Sequence, residues 1–194
     1  MQRIKGDLRG QTSVTKKINA ATNTNVLTMS AIALALSVVS LLLFRGPISI
    51  LSAFIIPAVL VLFTSGERKT FPFTAIGLII MTGLFFQTQI VFVPGYLFLA
   101  LFLRRFFMDS EREMKVSLAG VLLYIATVML ILWIGIQLTQ MIFLIPLQDM
   151  MLRLSGHDPL RYAGILFAEG AAITLFNLLL LKAFLSRIKV LIIS

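Results

Sequence analysis

"FPFTAIGLIIMTGLFFQTQIVFVPGYLFLALFL", residues 71–103, is the stretch on which the fold turns. As one helix rising 1.5 Å per residue it would extend roughly 50 Å, far more than the ~30 Å of hydrocarbon in a bilayer. Its only interruptions are Gln87-Thr88-Gln89 and Pro94-Gly95. Two short, tilted helices at 71–86 and 90–103, joined by a tight turn at the glutamines, fit this pattern better.

Working outward, further apolar runs fall at 26–44, 47–64, 116–145 and 160–184, each ending at polar or Gly/Pro punctuation. Pro57, inside the second run, is expected to kink it. The chain is 59% hydrophobic and only 13% charged, with a mean hydropathy of +1.00. A soluble domain of 194 residues would carry more charge than this. The expected fold is therefore an all-α integral membrane protein of six transmembrane helices. Residues 1–25 form a basic cytoplasmic tail, 26–185 the six-helix membrane domain and 186–194 a second cytoplasmic tail. The first run is too long for a signal-peptide core and lacks a small-x-small cleavage site, so it reads as a retained span.

Charge tests the count. With six spans and both termini cytoplasmic, 14 of the 17 basic residues lie inside, and only Arg45, Arg153 and Arg161 lie outside. Merging the third and fourth spans would move Arg104, Arg105, Arg112 and Lys115 to the side opposite the N-terminus. The positive-inside rule thus favours six spans in a cell membrane, both ends cytoplasmic. The same rule accounts for the net charge of +9 without nucleic acid.

The function classes narrow in the same way. There are no cysteines and a single histidine, His157, which excludes disulfides, thiolate metal sites and a two-histidine metal site. No HExxH, GxSxG or GxxxxGK[ST] is present, so neither an enzyme nor a metal or cofactor site is expected.

The third outward loop, 146–164, is long and polar. In it Leu147, Met150, Met151 and Leu154 follow helical spacing, so a short amphipathic helix is expected, stopped at Gly156. It carries Asp149, Arg153 and His157, followed by Asp158 and Arg161. These charges either form a solvated loop with local salt bridges or belong to a lid over a binding site.

Glu169 lies about nine residues into the last span, or roughly 14 Å along the helix. A carboxylate at that depth is costly and calls for a partner, a proton or a watery cavity. Small neighbours (Ala163, Gly164, Ala168, Gly170, Ala171, Ala172) let a helix or a ligand come close. Glu169 is either a binding or pairing residue or a structural hydrogen-bonding one, whereas Asn177 reads as an interhelical hydrogen bond. On the fifth span Gln137 and Gln140 share a face with the same outward aspect as Trp133. With Glu169 and Arg45 they outline a pocket, or else they mark the aromatic belt and headgroup level.

The first span, "MSAIALALSVVS", is studded with small residues. At about 100° per residue, Ser30, Ala33, Ser37 and Ser40 share one arc of roughly 80°, with Ala31 and Ala35 nearly opposite. The serine stripe suits close packing in the bundle. The Ala-x-x-x-Ala face either meets a second protein or reflects the abundance of alanine in membrane helices.

Taken together, these features resemble the substrate-binding S components of energy-coupling factor transporters. The resemblance rests on the six-span topology and on Ala31 and Ala35 in "SAIALAL". It implies that Ala31 and Ala35 dock on a membrane partner, the T component that works with paired ATPases. It also implies a vitamin or metal ligand bound near the outer face, under "FRGPIS", "QTQ" and "PLQDMMLRLSGHDPL". The expected function is the substrate-binding membrane subunit of an ATP-driven uptake transporter for a small polar molecule. Glu169, Arg45, Gln137, Gln140, Trp133, Asp149, Arg153 and His157 are the expected ligand contacts. The alternative is a non-catalytic scaffold subunit of a larger cell-envelope complex in the lipid bilayer.

Overall fold

The computed structural model describes the backbone at 4–44, 46–64, 69–108 and 114–193, and side chains at 24–44, 50–64, 69–108 and 114–186. Over these residues the chain is helical, with one isolated antiparallel bridge between Met108 and Met114. The helices are α1 (Ile4–Leu43), α2 (Ile56–Thr64), α3 (Thr70–Phe85), α4 (Val93–Phe107), α5 (Leu118–Phe143), α6 (Leu147–Leu154) and α7 (Pro159–Ile193). A 3-10 helix, η1 (Gly46–Phe54), leads into α2, and another, η2 (Gln87–Phe92), leads into α4. Four helices are long and apolar enough to cross a membrane: the Thr24–Leu43 part of α1, η2 with α4, α5, and the Pro159–Ser186 part of α7. Ile50–Thr64 and Thr70–Phe85 are shorter apolar helices.

The long apolar stretch divides as its punctuation suggests. Phe86 leaves the helical region (φ −136°, ψ 53°), and η2 starts on Gln87. Pro94, by contrast, does not interrupt anything. It sits in the first turn of α4, where an absent N–H costs no intrahelical bond. Pro57 behaves likewise in the first turn of α2. There the ladder changes from the 3-10 bond Ile55 N–H to Ser52 O (3.2 Å) to the α-type bond Val59 N–H to Ile55 O (3.0 Å). The expected kink is thus a change of helix type.

Packing turns the usual pattern inside out. The outward surface of the bundle is strongly apolar, with Phe73, Ile76, Ile80 and Leu84 exposed on α3 and Leu122, Leu123 and Leu130 on α5. Among the buried groups are Ser37, Thr74, Thr139 and Thr174. Each of these hydroxyls donates to the carbonyl four residues earlier, so none needs water. An apolar surface with internally satisfied polar groups is what a hydrocarbon solvent demands. The chain is a helical protein suited to membrane insertion.

α1 packs on α2 and α3, α2 on α4, and α5 on α7. Ser30, Ala33, Ser37 and Ser40 are all buried, while Ala31 and Ala35 are exposed. Ser30 reaches across to the Thr70 carbonyl (3.4 Å). Phe102, Phe107 and Tyr124 form an edge-to-face aromatic cluster where α4 meets α5.

Candidate functional site

At the end of the bundle carrying α6, four elements line a half-open cavity of about 480 Å³. η1 contributes Ile50, Leu51 and Phe54, and α5 contributes Ile136. α6 adds Leu147, Met150, Met151 and Leu154, while α7 adds Ala168, Glu169, Ala172 and Ile173. Its volume is in the range of small-molecule sites.

Local sequence explains each wall. The α6 residues stand at i, i+3, i+4 and i+7, a single apolar face, with Asp149 and Arg153 on the opposite, exposed one. α6 is oriented from both ends. Before it, Leu144 takes a left-handed conformation (φ 56°), and the Gln140 side-chain oxygen accepts from the Gln148 N–H (3.2 Å). After it, Gly156 and His157 are left-handed (φ 64° and 60°), which turns the chain into α7. On α7 the one-turn pair Ala168 and Ala172 recesses the wall, leaving room for a ligand. Phe54 is held edge-on by Phe176, their centroids 5.6 Å apart.

Glu169 is the one ionisable group on the lining, and it is half-buried. Its Oε2 is fully covered and accepts no hydrogen bond. The Tyr162 hydroxyl, seven residues earlier and so on the same face of α7, is also covered and unpartnered. Helical side chains lean toward the helix N-terminus, so Glu169 leans toward Tyr162. The two are close enough to interact electrostatically. Behind Glu169, α7 lies tight on α5. A Cβ added to Gly170 would come within 3.1 Å of Met129 Cγ and 3.3 Å of the Ile125 carbonyl oxygen.

The residues expected around a pocket are only partly brought together. Glu169 lines the cavity; Gln137, Gln140, Trp133, Asp149, Arg153 and His157 do not. Gln140 instead fastens α6, and Trp133 is 47% exposed on the outer surface of α5. Asp149, Arg153 and His157 face outward from the bundle. Asp158 accepts the Leu160 N–H (2.9 Å) at the start of α7 and pairs with Arg161 (3.6 Å). That ion pair is largely exposed, in keeping with the solvated-loop reading. Arg45 lies outside the described residues. Gln89, from the "QTQ" turn, is buried, and its amide donates to the carbonyls of Leu41 and Phe44, so it caps the end of α1.

Protein-family models, curated proteins and solved structures give no match to this chain. The site must therefore be judged on its own chemistry. Among the described residues no three His, Asp or Glu side chains come together as a metal site would need. What the cavity offers is an apolar, adaptable wall, two methionines included, and a single half-buried carboxylate whose Oε2 has no partner. That composition suits binding. It lacks the second acid or base that proton-transfer chemistry would draw on.

The lining also holds residues that sequence reading did not select. Met150, Met151 and Leu154 carried a signal in their helical spacing. Ile50, Leu51 and Phe54 carried none, because nothing local marks which turns of η1 face α6.

Proposed function

We propose that this protein is a substrate-capture subunit of a membrane transport complex. In this reading the chain crosses the cell membrane six times with both termini cytoplasmic, and the α6 end faces outward. A small molecule enters the cavity there and is delivered by an ATP-driven partner, in the manner of the S components that the chain resembles. The observation that carries the reading is the 480 Å³ cavity with Glu169 as its one ionisable group. Its position agrees with the resemblance, since η1 and α6 follow the first and fifth spans. The "QTQ" turn departs from that scheme, because Gln89 caps α1. The lining also shifts the ligand from a small polar molecule toward one with a largely apolar body and one polar group. Gln137, Trp133 and the outer charges then serve the membrane interface and not the ligand. Ala31 and Ala35, both exposed, are the face offered to the partner subunit.

Ligand retention tests this directly. Wild-type protein purified in mild detergent is expected to carry a stoichiometric small molecule, detected by native mass spectrometry. Ala172→Phe, which fills the cavity, is expected to lose it while keeping the same unfolding midpoint. If wild type retains nothing and Glu169→Gln instead dissociates a protein complex, the scaffold reading replaces this one. Leu at both Ala31 and Ala35 is expected to abolish co-purification of an ATPase module without lowering stability. Unchanged co-purification would remove the docking role from that face.

A further inference from the structure

We infer that the polar group of the ligand is an ammonium: the cavity is built for a protonated amine on an apolar body. This rests on the proposed capture function and names its ligand class.

Each ligand class would leave different groups unpaired. A neutral apolar molecule would fill the space between Phe54, Met151 and Ile173 and cover what remains accessible of the Glu169 carboxylate, whose Oε2 is already covered, without supplying a donor. Buried acceptors in that condition are costly, and a carboxylate more so than a carbonyl. An anionic ligand would meet the carboxylate and find no cation on the lining. A sugar or polyol needs many donors and acceptors, whereas eleven of the twelve lining residues are apolar. An ammonium answers the carboxylate with a charge-assisted hydrogen bond. Its three donors can serve either oxygen of the carboxylate. Among the described residues the one ion pair on this end of α7 joins Asp158 to Arg161. No described cation pairs with Glu169.

An ammonium on an apolar body could reach the site as a free amine or as the amine headgroup of a lipid. The probes are octylammonium, octanol and octanoate, titrated calorimetrically into the full-length protein in phosphatidylcholine nanodiscs. Octylammonium is expected to bind at least about tenfold tighter than octanol, with octanoate weakest. Glu169→Gln is expected to erase that preference while leaving octanol binding unchanged. The wild-type ranking needs no variant to fold, so it decides the matter by itself. Equal binding of octylammonium and octanol, or octanoate binding tightest, overturns the ammonium while the capture function stands. Failure of all three probes, with no molecule retained on purification, overturns both. Doping the nanodiscs with phosphatidylethanolamine assigns the source. Lost octylammonium binding supports a lipid amine, and unaltered binding supports a free one.

Discussion

Asn177 and Glu169 stand eight residues apart on α7, both polar, both inside a helix long and apolar enough to cross a membrane, yet their surroundings differ. The Asn177 amide donates to the Ala53 carbonyl of η1 (2.9 Å) and to Ile173 one turn back (3.1 Å). It is fully buried, its Oδ1 accepts no hydrogen bond, and its two donated bonds join the first third of the chain to the last. Glu169 has a covered oxygen with no partner and opens on a cavity. A polar group that is bonded within the protein stabilises the fold, whereas one left unbonded beside empty space is held ready for something else. On the proposed reading, the contrast separates architecture from function on a single helix.

Four substitutions break or sharpen that contrast. Gly170→Val attacks the α5–α7 contact beside Glu169, because its side chain would press on Met129 and the Ile125 carbonyl. It should cost about 2–3 kcal/mol, measured as an SDS-unfolding midpoint, and weaken ligand retention as α7 moves off α5. Asn177→Ala removes both donors and should cost about 1–2 kcal/mol in the same assay. Glu169→Gln should leave stability within about 0.5 kcal/mol of wild type, its effect falling on the ligand. A loss as large as that of Asn177→Ala would make Glu169 structural and dissolve the contrast. The smallest effect is expected for Tyr124→Phe. The Tyr124 hydroxyl is buried and unbonded and does not line the cavity, so its removal should be neutral or stabilising by less than about 0.5 kcal/mol.

Much of the fold was legible in the sequence because its signals are local. The break at Gln87-Thr88-Gln89 follows from the length of an apolar run set against a helix rise. The division of α1 into a buried serine stripe and an exposed Ala31/Ala35 face follows from 100° per residue, as does the apolar face of α6. Reading Asn177 as an interhelical bond also held, although its partner is 124 residues away in sequence and could not be named. The candidate site was less legible. Gln137 and Trp133 share a helix with Ile136, which alone of α5 lines the cavity, and a difference of one residue in rotation decides which is chosen. Gln140 and Gln89 read as ligand contacts or loop residues because an amide in a membrane protein attracts a functional reading. Both instead satisfy main-chain groups left over where helices end.

By itself the sequence determined that this chain is helical and apolar-surfaced, where its helices break, which face of α1 is smooth, and that Glu169 is out of place in hydrocarbon. Those properties depend on period, length and polarity, all of which act over a few residues. Only the tertiary structure decided that η1, α5, α6 and α7 leave space between them and that Glu169 opens on it while Asn177 does not. A cavity is a failure of four surfaces to meet. Its shape depends on how helices distant in sequence tilt and on where small residues such as Ala168 and Ala172 let them stay apart.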